Sequence, residues 1–358
     1  MSATCTCCQA PLGRSLVGSV FWLMTSPNDY PCENPNKTCS ARLCSACHGK
    51  RPLMMLPNDD TTDDTTTDTK KHQDLSKASL KCLCQPCFEE TSTLDFSKTY
   101  DIVQGGSNAV FVFCHGGGAS RQLYHYHALE LKEQFGHSSI LLDLPGHGTL
   151  VDQELTLDSA TQTVQSVLNE CQAVTKDKMI IYVGTSLGGY IGFYILKQLN
   201  GTFHGAVQID VGQNVGPDAS FKAKAGLVML DYMSKKMSNA TLMKLMAGEM
   251  KKSTATEFHY ILASTFGAGM FFDQGHAQVE CLRTVAPADM LASITIPIVY
   301  MNGSADYRDS EDKWLQLTKV QEGKSELKVY EGGDHFFSHD ARFLSDVLSR
   351  MDAFAKKL

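Results

Sequence analysis

The hydrophobic pattern of this chain changes character near residue 94. Beyond it, short apolar runs alternate with longer stretches in which apolar residues return every three or four positions. The runs at 100–103, 110–114, 139–143, 179–183, 206–210, 296–301 and 327–330 are of strand length, so each predicts a strand. Most are apolar at successive positions, as in strands covered on both faces. Between them lie helical stretches such as 190–199, where Ile191, Tyr194, Ile195 and Leu199 follow helical spacing. Alternating strand and helix predicts an α/β fold, a mostly parallel sheet with helices on both faces.

Two regions depart from this rhythm. Between Asp210 and Ile296 the alternation stops, and residues 221–252 are rich in methionine and lysine. Leu227, Leu230, Met233, Met237 and Leu245 fall at helical intervals there, which predicts a helical insertion over about 215–290. Before residue 92 large apolar residues are few. Residues 57–74 are acidic, threonine-rich and of low complexity; such a tract cannot bury a core and predicts a disordered loop. The expected organisation is a small Cys-rich domain over 1–91, followed by an α/β domain over 92–358.

Four turns at strand ends carry candidate chemistry. The run at 179–183 leads into Gly184-Thr185-Ser186-Leu187-Gly188, a G-x-S-x-G sequence between a predicted strand and a predicted helix. Flanking glycines suit a turn that presses strand and helix backbones together, lifting the Ser186 hydroxyl clear of the sheet edge. The run at 110–114 leads into His115-Gly116-Gly117-Gly118, and the run at 139–143 into Leu144-Pro145-Gly146-His147-Gly148. A late Gly332-Gly333-Asp334-His335 follows the last predicted strand. In their order along the chain, from His115 through His147 and Ser186 to His335, the motifs resemble the α/β-hydrolase family, over roughly residues 94 to 358.

The resemblance implies a catalytic triad and a helical cap over the pocket. Ser186 is then the nucleophile and His335 the base, in the turn where the family carries its histidine. Asn302-Gly303-Ser304-Ala305-Asp306 resembles the family's G-x-x-D turn and makes Asp306 the acid, with Asp309 and Asp210 as alternatives. The oxyanion hole would be the backbone N–H of Leu187 with that of Gly117 or Gly118. His115 and His147 are expected to hold loops, and His339 to lie inside the last helix. The cap methionines suit an adaptable acyl-binding wall or plain packing onto the sheet. Thr185 stands where many family members carry histidine or glutamine, which removes no catalytic group.

Thirteen cysteines are unusual for such a chain, and ten precede residue 88. Cys5/Cys8, Cys44/Cys47 and Cys84/Cys87 are C-x-x-C pairs, and Cys32 and Cys39 form a wider fourth. Eight thiolates in four pairs match two tetrahedral structural zinc ions. The stretch from Cys39 to Arg51, matched later by Cys84-Gln-Pro-Cys87-Phe88, resembles a FYVE-type cross-brace finger. In a cross-brace the first and third pairs share one ion, and the second and fourth the other. Two departures mark the finger as degenerate. Six residues separate Cys32 from Cys39 instead of two, and Glu33-Asn-Pro-Asn36 replaces the basic segment that grips phosphatidylinositol 3-phosphate. Weak phosphoinositide contact through Lys37, Arg42, Lys50 and Arg51, or a protein partner, is what remains. Haem attachment at Cys44-Ser-Ala-Cys47-His48 and acylation of Cys5, Cys7 or Cys8 are the other readings of these cysteines. Cys114, Cys171 and Cys281 are scattered and read as small buried apolar residues.

Length and charge narrow the function further. At 358 residues with 43% hydrophobic positions, the chain has material for one large domain and one small one. A formal net charge of −7 argues against a general nucleic-acid binder. No apolar run approaches a membrane span, and residues 17–24 lack the flanks of a signal peptide. The expected location is cytoplasmic, with peripheral attachment to endosomal membranes left open by the cysteine module. The expected function is a serine hydrolase that cleaves a carboxylic ester, a monoacylglycerol-type lipid or another small ester, through an acyl-enzyme and without a catalytic cofactor. Thioesterases, amidases and carbon–carbon hydrolases would carry the same triad. The rival readings are a non-catalytic receptor or scaffold on this fold and a zinc-finger adaptor at phosphoinositide membranes.

Overall fold

A computed structural model of the chain describes residues 97–211 apart from 118 and 151, then 280–306 and 323–358, with scattered residues between and the backbone of a few short elements elsewhere. Its centre is a seven-stranded sheet. The strands are β1 (Tyr100–Val103), β2 (Ala109–Cys114), β3 (Ser138–Leu142), β4 (Met179–Thr185), β5 (Gly205–Ile209), β6 (Ile298–Gly303) and β7 (Ser325–Tyr330). Their order across the sheet is β7-β6-β5-β4-β2-β3-β1. All neighbours are parallel except β1, which runs antiparallel to β3 at one edge.

Alternate strand residues feed two separate cores, which is why the central strands read as unbroken apolar runs. Phe111, Phe113, Ile181, Val183, Val207 and Ile209 face α1 (His125–Phe135) and α6 (Ala341–Lys357). Val110, Val112, Ile140, Tyr182, Ala206 and Tyr300 face α2 (Leu157–Glu170) and α3 (Leu187–Gln198). Helix α6 sends Leu344, Val347, Leu348, Met351 and Phe354 inward at three- and four-residue spacing. Helix α2 starts on a capping box, in which Thr156 and Ser159 satisfy each other's backbone N–H groups.

Towards the end of the expected insertion, α4 (Gly275–Thr284) and α5 (Pro287–Leu291) pack on α3, with Cys281, Val285 and Leu291 in the second core. Tyr190 of α3 donates to the Val285 carbonyl at 2.9 Å. The rest of the expected cap lies largely outside the described residues. The eight paired cysteines and the acidic tract 57–74 lie outside them too. Within the Cys-rich region the backbone forms two antiparallel ladders, Tyr30–Pro31 with Arg42–Leu43 and Leu53–Leu56 with Ser79–Cys82. Among the described residues, no helix is long and apolar enough to cross a membrane.

Candidate active site

The site forms beyond the carboxyl ends of the parallel strands, where such sheets leave a crevice. Strand β4 turns into α3 through Ser186, which adopts φ 49° and ψ −114°. This left-handed, strained backbone is tolerated because its surroundings over-determine it. Ser186 N–H donates to the Ile209 carbonyl at 3.0 Å, and Tyr190 N–H donates to the Ser186 carbonyl at 2.9 Å. Gly188 sits where a Cβ would lie 2.3 Å from the Cys114 carbonyl oxygen, so only glycine permits this approach of α3 to β2. The Tyr182 hydroxyl donates to the Gly188 carbonyl at 2.6 Å and pins the first turn of the helix.

The last two strands bring in a histidine and a carboxylate. Ser186 Oγ lies 3.0 Å from His335 Nε2, and His335 Nδ1 lies 2.5 Å from Asp306 Oδ2. This spacing lets Nδ1–H donate to the carboxylate while Nε2 accepts from the serine hydroxyl. The Asp306 side chain is fully covered and the His335 side chain only 12% exposed. Asp306 is the end of a tight turn, in which its N–H donates to the Gly303 carbonyl and the Ala305 N–H to Gly333.

Asp210, at the end of β5, is also here. It is fully buried with φ 47°, and its Oδ1 accepts the Gly303 N–H at 3.2 Å. One side-chain oxygen of Asp210, one of Asp306 and a ring nitrogen of His335 all lie within 4.8 Å of one another. Among the described residues this is the one cluster with donors close enough for a metal ion. Both ring nitrogens of His335 are already engaged, so the cluster suits hydrogen bonding better than ligation.

The two glycine-rich turns are stitched together by their histidines, as expected. His115 Nδ1–H donates to the Gly116 carbonyl at 2.8 Å, while its Nε2 accepts the Leu144 N–H at 3.1 Å. His147 donates to the Pro145 carbonyl at 3.0 Å and meets the His115 ring edge-on. Burial pushes His115 down to about 4 and His147 down to about 3, so both are neutral near pH 7. Gly116 lies directly against Ser186, with its would-be Cβ position 3.2 Å from the serine Cβ. The turn that carries Gly117 is therefore beside Ser186, as is Leu187 at the α3 N-terminus. Gly118 and Asp309, the alternatives for oxyanion donor and acid, lie outside the described residues.

Several supporting side chains carry no sequence signal. Arg121 is 1% exposed. It donates to Asp143 at 2.5 Å and to Asp101 at 2.8 Å, and its own N–H binds Asp143 Oδ1. It sits in a polar stretch that reads as surface, yet it ties the segment after the His-Gly-Gly-Gly turn to the end of β3. Tyr124 is buried beneath the elbow and hydrogen-bonds the Thr185 hydroxyl. Its ring packs on Phe113, His127 and His339.

His339 is not in the last helix, contrary to expectation. Residues Phe337–His339 form a 3-10 turn, Asp340 caps the helix, and α6 begins at Ala341. The His339 ring donates to the Leu123 carbonyl at 3.2 Å and accepts from Ser338 at 3.1 Å, while His127 donates to the Ser338 carbonyl at 2.8 Å. Burial holds His127 at about 4 and His339 well below the usual range, so both serve as neutral struts. Cys114, Cys171 and Cys281 are buried free thiols, as the sequence predicts. Burial pushes Cys114 up to about 12 and Cys281 up to about 11, which suppresses the reactive thiolate.

Comparison with known proteins adds a family to this geometry. A model of the alpha/beta hydrolase family matches residues 111–347. No curated protein is similar enough to match the chain. Similar solved structures include MenH from S. aureus, at 18% identity and a TM-score of 0.52, covering 72% of this chain and 98% of that one. An esterase from Exiguobacterium antarcticum is 16% identical with a TM-score of 0.56, covering 72% and 94%. The monoacylglycerol lipase of Paleococcus ferrophilus is 15% identical with a TM-score of 0.51, covering 72% and 97%. At these identities the likeness concerns the fold.

Proposed function

The chain belongs to the alpha/beta hydrolase family, and from that premise we propose that it is a serine hydrolase that cleaves carboxylic esters through an acyl-enzyme on Ser186. The observation that supports this reading is the unbroken series of hydrogen bonds from Ser186 Oγ through His335 to Asp306, at 3.0 and 2.5 Å. Ser186 Oγ attacks the ester carbonyl carbon as its proton passes to His335 Nε2. Asp306 holds the Nδ1 proton, keeping Nε2 free to accept and stabilising the imidazolium that results. The carbonyl oxygen becomes an oxyanion and receives the N–H groups of Leu187 and Gly117, with the α3 dipole behind them. His335 returns the proton to the leaving alcohol, freeing it and forming the acyl-enzyme. Water activated by the same histidine then attacks the acyl carbon, releasing the acid and restoring the Ser186 hydroxyl.

The substrate class is a monoacylglycerol-type lipid or another small ester. A scaffold role finds no specific support, since its mark would be a missing triad member. The test is labelling with a fluorophosphonate probe followed by a panel of esters of graded chain length. Ser186→Ala should abolish labelling and lower ester turnover by about a millionfold while leaving the fold intact. Full turnover by a folded Ser186→Ala protein would end the reading. For the N-terminal region the reading is that Cys5, Cys8, Cys32, Cys39, Cys44, Cys47, Cys84 and Cys87 hold two structural zinc ions, leaving weak phosphoinositide or protein contact as that module's role.

A further inference from the structure

Asp210 has no part in the acyl-transfer scheme, yet it occupies a costly position beside it. An aspartate at φ 47° lies in a region where most side chains are strained. It is fully buried, and it brings a second carboxylate next to the one that already serves His335. Burying two carboxylates side by side opposes folding, so an aspartate at this position calls for a compensating use. The geometry points to Asp210 as a second orienting carboxylate for His335, buttressing the Asp306 turn and able to take over the imidazole Nδ1 proton when Asp306 cannot hold it. The inference rests on the serine-hydrolase reading of the same site.

Two observations carry it. First, Asp210 Oδ1 accepts the N–H of Gly303, the residue that begins the turn ending in Asp306. The Asp210 N–H donates to the Met301 carbonyl, so the residue is held to β6 at both its backbone and its side chain. Second, its carboxylate, that of Asp306 and a ring nitrogen of His335 lie within 4.8 Å of one another. The orienting carboxylate must accept Nδ1–H, because the other tautomer puts a proton on Nε2 and blocks removal of the serine proton. A chain with two carboxylates on one imidazole should therefore tolerate loss of either better than a chain with one.

Fluorophosphonate labelling rates of the full-length protein test this without knowledge of the natural ester. Four forms are compared: parent, Asp306→Asn, Asp210→Asn, and the double variant. Asparagine keeps an acceptor for the Gly303 N–H and tolerates positive φ, so Asp210→Asn removes charge while preserving the buttress. With a single acid, Asp306→Asn would cost about ten-thousandfold, as in the serine-protease triad. With Asp210 in reserve, Asp306→Asn should cost only about a hundredfold, and the double variant about ten-thousandfold. Asp210→Asn should then cost less than about tenfold in the parent and about a hundredfold beside Asp306→Asn. A purely structural Asp210, acting through the Asp306 turn, would cost no more beside Asp306→Asn than in the parent, and that result overturns the inference. If Asp210→Asn does not fold, Asp306→Asn decides alone: a loss near ten-thousandfold refutes the reserve acid. The two readings fail differently. A parent that is not labelled, or a Ser186→Ala protein that is, defeats the serine-hydrolase reading and this one with it. Labelling that depends on Ser186 but falls additively defeats only the role of Asp210.

Discussion

Tyr124 does no chemistry in the proposed scheme, yet its surroundings join three segments that build the site. It follows the His-Gly-Gly-Gly turn, bonds the hydroxyl of Thr185 next to Ser186, and packs on His339 just beyond His335. Burial raises its phenol well above the usual range, so it stays protonated and acts as a neutral hydrogen-bonding partner. Tyr124→Phe keeps the ring contacts and deletes that bond. Thermal unfolding should show a loss of about 1–3 kcal/mol, and the labelling rate should fall by up to about a hundredfold through a displaced Ser186. A variant as stable and as reactive as the parent would strip Tyr124 of this role. No sequence pattern marks it, because a tyrosine in a polar stretch has no periodicity to betray burial. The convergence of Ser186, His335 and Asp306 was legible for the opposite reason: each sits in a glycine turn at a strand end. Asp210 was legible only as a rival to Asp306, since adjacency across neighbouring strands leaves no local trace.

At the level of elements, the strands were the readable part. A strand covered by helices on both faces must be apolar at nearly every position, and β2 and β4 are read from that alone. Edges slipped where backbone chemistry competes with apolar pattern. The run at 296–301 begins one turn of pleat too early, because Pro297 has no N–H to give the ladder; β6 starts at Ile298, and the Pro297 carbonyl serves Ala206 from outside. Helix α3 starts at Leu187, ahead of the expected Tyr190, because Gly188 and Gly189 are poor helix formers recruited for close packing. The turn at 337–339 was hidden in the helical spacing of α6, whose true start is set by the Asp340 cap bonding Arg342.

For the whole molecule, the Cys-rich region and the hydrolase sheet are expected to be chemically independent. Protein purified under reducing conditions should carry about two zinc ions, four thiolates to each. A chain starting near Thr91 should lose that metal but keep fluorophosphonate labelling, because the sheet, its helices and the candidate triad all lie after it. Finding no zinc would favour disulfides or acylation, and a shortened chain unable to fold would mean one structural unit. The histidine struts under the site have a consequence of another kind, in proton linkage. His115 and His127 are held at about 4, His147 at about 3, and His339 lower than usual, whereas an unfolded chain titrates its histidines near 6.5. Above that value neither state binds these protons and stability is full. As pH falls below it, the unfolded chain takes up protons that the folded chain refuses, and stability drops by about 1.4 kcal/mol per pH unit for each histidine until the folded values are reached. The melting temperature should therefore fall steeply from pH 6.5 towards pH 4.5, with circular dichroism and labelling lost together; a flat profile would contradict the neutral struts. The glycine turns around Ser186 thus come with an acid limit on where the protein can stay folded, written into its frame rather than into His335.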